Sequence, residues 1–149
     1  MRKFHRLLKQ LKDNAAVEID LEISTGELIV LAKVLKYNSS LQSLTLNAAE
    51  RNIVGIKVSA FAALSEALKV NSTLIQLNLC LNKILKEGVI CIAEGLKVNS
   101  TVTTLNLRGN CIDVEGAIAI AEALKLNSTL TSLDLSLNYI YWGGSNCNR

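Results

Sequence analysis

The tetrapeptide Asn-Ser-Thr-Leu at 71–74 returns as Asn-Ser-Thr-Val at 99–102 and again as Asn-Ser-Thr-Leu at 127–130, 28 residues on each time. A fainter copy, Asn-Ser-Ser-Leu at 38–41, stands 33 residues before the first. A fixed period of this length constrains the fold more than any other feature of the chain. A unit this short cannot bury its own apolar face, so neighbouring copies must stack and share one continuous core. One elongated domain over 1–149 is therefore expected, with a degenerate N-terminal cap region at 1–27, repeats over 28–144 and a short tail at 145–149.

Aligned at the period, the copies read Leu74-x-x-Leu77-x-Leu79-x-x-Asn82-x-Ile84, then Val102-x-x-Leu105-x-Leu107-x-x-Asn110-x-Ile112, then Leu130-x-x-Leu133-x-Leu135-x-x-Asn138-x-Ile140. The Leu-x-Leu alternation has period two, which marks a short strand with one buried face. A helix-period segment follows. Val89, Ile92, Ala93 and Leu96 after Gly88, and Ala117, Ile120, Ala121 and Leu124 after Gly116, fall at i, i+3, i+4, i+7 and define a buried face. Glu94 with Lys97 and Glu122 with Lys125 sit opposite, as i, i+3 pairs. Each helix is expected to end at Asn71, Asn99 or Asn127, since Asn tolerates the left-handed conformation common at helix ends. At the other end of the chain, Phe4, Leu7, Leu8 and Leu11 repeat the helical spacing and predict an amphipathic first helix over 3–12.

These motifs, with Gly-Val-Ile-Cys-Ile-Ala-Glu-Gly-Leu-Lys at 88–97 and Gly-Ala-Ile-Ala-Ile-Ala-Glu-Ala-Leu-Lys at 116–125, resemble the leucine-rich repeat. The long period is similar to the ribonuclease-inhibitor-like class and to the repeat arrays of NOD-like receptors. The resemblance implies an α/β solenoid of about four strand–helix units plus the N-terminal helix, with a curved parallel sheet on the concave side and helices on the convex side. It also implies that Asn82, Asn110 and Asn138 are structural. Their side chains would satisfy backbone groups where each strand turns away, groups that cost about 1–3 kcal/mol each if buried unpaired.

The same resemblance places the polar strand positions on the concave face, toward a protein partner. That set is Glu18, Asp20 and Glu22; Ser43, Thr45 and Asn47; Gln76, Asn78 and Cys80; Thr104, Asn106 and Arg108; Ser132, Asp134 and Ser136. Most are small and neutral. Arg108 alone belongs to the residue types that dominate binding hot spots. The three acids of the first strand share one face and favour a basic partner or a cation. The alignment pairs Ile19 and Leu21 with Leu77 and Leu79, with a one-residue slip left open.

The echo breaks at 47–59. Thirteen residues separate Leu46 from Ala60, the match of Gly88, against eight between Leu79 and Gly88. Insertions in repeat proteins map to surface loops, and this one brings Glu50, Arg51 and Lys57, with Arg51 the residue assigned to a partner. The motif asparagine falls on Ala49, so Asn47 or Asn52 is expected to stand in.

Composition excludes more than it selects. With 16 basic and 13 acidic residues, net charge is +3, too balanced to imply nucleic acid or an anionic membrane. Aromatic residues are 4% of the chain, which disfavours a base-stacking surface. No apolar run reaches the roughly 18 residues of a membrane span. The N-terminus is basic but lacks the apolar core of a secretory signal, while its lack of acids leaves a mitochondrial address open. Cys80, Cys91, Cys111 and Cys147 form no Cys-x-x-Cys motif and the only histidine is His5, so no metal or cofactor is expected, and a reducing, cytoplasmic setting is. The sequons at Asn38, Asn71, Asn99 and Asn127 are read as a by-product of the repeat. No His-Glu-x-x-His, Gly-x-Ser-x-Gly or phosphate-binding Gly-x-x-x-x-Gly-Lys motif occurs.

The functional expectation is a non-enzymatic protein–protein interaction module. The alternatives are an enzyme regulator of the ribonuclease-inhibitor or small-GTPase-activator type, the sensing domain of an innate-immune-type receptor, and an orphan repeat protein. The chain stops five residues after Gly144, the match of Gly116. Two accounts fit: a piece of a longer array, or an end covered by self-association through Tyr139, Tyr141 and Trp142.

Overall fold

The computed structural model describes residues 2–13, 18–48 and 56–141. Along them run α1 (Arg2–Lys12), β1 (Glu18–Ile23), α2 (Thr25–Leu35), β2 (Ser43–Ala48), α3 (Val58–Leu68), β3 (Gln76–Asn78), α4 (Leu85–Leu96), β4 (Thr104–Asn106), α5 (Val114–Leu124) and β5 (Ser132–Asp134). The strands form one parallel sheet in chain order, and α1 to α5 pack each against the next. This is the expected α/β solenoid of four strand–helix units plus an N-terminal helix.

The register ties Ile19 to Leu44, Leu77, Leu105 and Leu133, one per strand, and Leu21 to Leu46. The first strand is therefore aligned as the repeat predicts, without a slip. These residues face inward, where Leu44, Leu77 and Leu105 are at most 1% exposed. Burying each such side chain stabilises by about 1.5–3 kcal/mol. From the helix layer, Leu64, Val89, Ile92, Ala93 and Leu96 close the slab. Phe4 and Leu11 of α1 join the same core and Leu7 and Leu8 pack against it.

Two ladders of asparagines hold consecutive copies together. In the first, Asn110 Oδ1 accepts from the backbone N–H of Asn82 and Ile84, while its Nδ2 donates to the carbonyls of Leu79 and Arg108. Asn138 does the same one copy on, accepting from Asn110 and Ile112 and donating to Leu107. Asn82 donates to Leu46. Each of the three side chains thus bonds backbone groups of a neighbouring copy. Among the described residues the buried Asn82 Oδ1 has no hydrogen-bond partner. Asn47 does not stand in for the missing asparagine, because its side chain lies on the sheet face and donates to Asp20. Asn52 lies outside the described residues.

The second ladder corrects the sequence reading. Asn71, Asn99 and Asn127 are absent from the left-handed region, where the non-glycine residues are Leu81, Lys83, Leu85, Cys111 and Leu137. The helices end on right-handed Lys36, Lys69, Lys97 and Lys125. The asparagines act through their side chains instead. Asn99 Oδ1 accepts from the N–H of Thr101 and Val102, and Nδ2 donates to the carbonyls of Leu68 and Asn71. Asn71 and Asn127 repeat the pattern, and Asn38 fastens α1 by donating to Leu11. Left-handed geometry is not needed because the asparagine oxygen itself closes the turn.

Two further expectations change. Gly88 and Gly116 lie within the first turn or so of α4 and α5 and mark close packing there. A Cβ on Gly88 would stand 2.5 Å from Ile84 Cγ2 and 2.9 Å from Phe61 Cδ2. On α5, Ile120 is buried as predicted, but Ala121 and Leu124 are exposed and Ala123 is buried instead. Their counterparts Ala93 and Leu96 are covered because α5 packs on α4. Among the described residues no helix covers α5 in turn, and Leu130, Leu133 and Leu135 are only partly buried.

Candidate recognition surface

The outward side chains of the sheet form three rows. Pairing places Glu18, Ser43, Gln76, Thr104 and Ser132 in the first, and Asp20, Thr45, Asn78, Asn106 and Asp134 in the second. Glu22 pairs with Asn47 in the third. Backbone bonds from Leu79 to Asn106, Leu81 to Arg108, Leu107 to Asp134 and Gly109 to Ser136 carry the ladder past the short strands. Cys80, Arg108 and Ser136 thus continue the third row. Parallel sheets are ordinarily covered on both faces, whereas here one face is polar and open.

Several of these side chains are already engaged. Asn78 Oδ1 accepts from Cys80 N–H, Asn106 Oδ1 from Arg108 N–H and Asp134 Oδ1 from Ser136 N–H. Three copies of one turn thus fix the strand ends, a structural task the sequence reading did not give these positions. The signal was legible as Asn-x-x or Asp-x-x closing each strand. Asn47 Nδ2 bonds Asp20 Oδ1 at 2.8 Å, and Arg108 Nη1 bonds Ser136 Oγ at 3.2 Å. Ordered side chains lose less freedom when a partner docks.

The electrostatics are lopsided. Four carboxylates share the face with one guanidinium. Bonds from the Ser136 side chain and backbone, with the charge of Arg108, hold the Asp134 carboxyl below its ordinary range. Glu18, Asp20 and Glu22 are all exposed, but they alternate along one strand, about 6.6 Å apart. Among the described residues no group of three or more His, Cys, Asp or Glu is placed to hold a metal ion.

The insertion is seen only at its margins. Arg51 and Glu50 lie outside the described residues. Lys57 is exposed, and its N–H donates to Thr25 Oγ1 at 3.1 Å. The Tyr139 and Tyr141 rings lie 6.4 Å apart, and Trp142 lies outside the described residues. At the sequons, Asn71 and Asn99 are buried, and Nδ2 of Asn71, Asn99 and Asn127 spends both hydrogens on backbone carbonyls. In the folded chain these nitrogens are not available to a glycan. Among the described residues no helix is long and apolar enough to cross a membrane.

Sheet, helices and asparagine ladders together define a leucine-rich-repeat solenoid. The Leucine Rich repeat family model matches residues 70–93, 98–121 and 126–140. No curated protein matches the chain significantly. Among solved structures, leiomodin-1 actin-binding site 2 superposes with a TM-score of 0.74 at 23% identity, over 95% of this chain and 82% of that one.

Proposed function

We propose that this chain is a non-enzymatic recognition module of the ribonuclease-inhibitor-like repeat class that binds another protein on its concave sheet face. The observation that carries the reading is the open polar face of the five-stranded parallel sheet. A fold that needed that face only for its core would cover it with a second layer. The acidic strand β1 contacts basic groups of the partner, and Arg108 with Asp134 supplies a polar anchor toward the other edge. Arg is among the residue types enriched at binding hot spots.

Actin is the first partner to test, because the leiomodin-1 region that shares the fold is named for binding it. Monomeric and filamentous actin, and proteins cross-linked to the chain in its source cell, are each measured against wild type, R108E and E18K/D20K/E22K. The reading predicts at least tenfold weaker binding by one of the two face variants, and a smaller salt dependence for the triple variant. Partners that bind all three proteins equally tightly overturn it.

A further inference from the structure

The residue before each second-ladder asparagine is apolar and exposed in every copy. Tyr37 is 87% exposed, Val70 60%, Val98 61% and Leu126 69%. Folding accounts for the neighbouring asparagines but not for four solvated apolar side chains at one repeat position. Asn71 donates to the Asn38 carbonyl, Asn99 to that of Asn71 and Asn127 to that of Asn99. The residues preceding them are therefore stacked as a continuous row. It runs along the turn from helix layer to sheet, apart from the concave face.

At its N-terminal end the row meets a groove of about 390 Å³ between α1 and α2, bordered by Leu11, Lys12, Val30, Lys33, Val34 and Tyr37. Its charged groups are two lysines, with no acid among its lining residues. Position matters here. Glu66, Glu94 and Glu122 each pair with the lysine three residues on, and the first copy carries Lys33 in place of that glutamate. Among the described residues Lys12, Lys33 and Lys36 form no ion pair. The groove thus joins an apolar floor to uncompensated positive charge.

We propose that the row and groove dock an amphipathic α-helix of another protein, with an apolar stripe and with acidic residues at the end that enters the groove. The geometry fits a helix. Strands stack about 4.8 Å apart and packed helices about 8–10 Å apart. The turns that carry the row lie between those two layers, and the range of spacings they define includes the pitch, about 5.4 Å, of a helix laid along the row. An anionic membrane is disfavoured, because beside the row Lys69, Lys97 and Lys125 are each paired with Glu66, Glu94 or Glu122 and leave no net positive charge along it.

The test uses two synthetic 18-residue helical peptides with the same leucine stripe, one flanked by glutamates and one by lysines. Binding to the full chain is followed by fluorescence anisotropy, beside sedimentation with phosphatidylserine–phosphatidylcholine vesicles. Urea unfolding verifies that V98D and K33E, both surface changes, remain folded. The acidic peptide should bind saturably, at least tenfold tighter than the basic one. V98D should weaken it tenfold or more, and K33E should weaken the acidic peptide while strengthening the basic one. Equal affinity for both peptides, no saturable binding, vesicle binding without peptide binding, or indifference to both substitutions would overturn the proposal.

Discussion

Asn110→Ala removes the most completely buried rung of the first ladder. Asn110 is 0% exposed. Its oxygen accepts from Asn82 N–H at 2.9 Å and Ile84 N–H at 3.4 Å, and its nitrogen donates to the Leu79 carbonyl at 2.7 Å and the Arg108 carbonyl at 3.3 Å. Alanine leaves two buried donors and a buried carbonyl without partners. At about 1–3 kcal/mol for each orphaned group, and with the long bond to Ile84 at the low end, the loss is about 3–7 kcal/mol. That is a large share of the roughly 5–15 kcal/mol that stabilises a typical domain. Asn138→Ala is the internal reference. Its bonds are similar, but the residue is only half-buried. Water can replace the lost side chain there, so about 1–2 kcal/mol is expected. Both are measured by urea unfolding followed by circular dichroism. A fall in midpoint at constant slope reports stability, and a fall in slope reports copies unfolding separately. Asn110→Ala within 1 kcal/mol of wild type, or Asn138→Ala costing as much, would refute the view that the ladder acts by satisfying buried backbone.

Gly88→Ala should destabilise by about 1–3 kcal/mol despite better helix propensity, because the new methyl meets Ile84 and the fully buried Phe61 ring; equal or higher stability in urea would contradict this packing. Leu137 is 65% exposed at φ 56°, so Leu137→Asn should gain about 1 kcal/mol and raise Tm by about 3 °C in calorimetry. Because its folded-state pKa is depressed, Asp134 contributes stability above its unfolded pKa, and that contribution is lost as pH falls through the folded value. NMR titration should place its midpoint below the usual aspartate range in wild type and nearer that range in Ser136→Ala. Burial raises the Cys91 thiol, so iodoacetamide at pH 8 should modify it more slowly in the native protein than in urea; equal rates would be inconsistent with a half-buried thiol.

The strand alternation and the helix spacing were legible because each reports a local period. Leu77, Leu105, Ile92 and Leu96 must face inward wherever that period is obeyed. The role expected of Asn82, Asn110 and Asn138 came through family resemblance, while the bonds they make between copies are read from the structure. Asn71, Asn99 and Asn127 were correctly singled out but given the wrong device. Their sequence position suits a left-handed cap, whereas their bonds reach carbonyls up to 36 residues away, which no local pattern encodes. Ala121 failed for a related reason. It has the same sequence neighbours as Ala93, and only the presence or absence of a packed helix separates buried from exposed.

For the recognition surface, strand alternation named the outward residues. It did not reveal that Asn78, Asn106 and Asp134 spend an acceptor on closing their own strands, or that Arg108 reaches Ser136. The sequence by itself determined the unit: what each copy buries, what it exposes and how often it recurs, because those depend on periodicity along one chain. The tertiary structure decided what the units do to one another. Rungs between copies, the lysine-bordered groove beneath Tyr37 and the alignment of four exposed apolar residues into one row exist only once the elements are stacked, since each joins residues 18 or more positions apart.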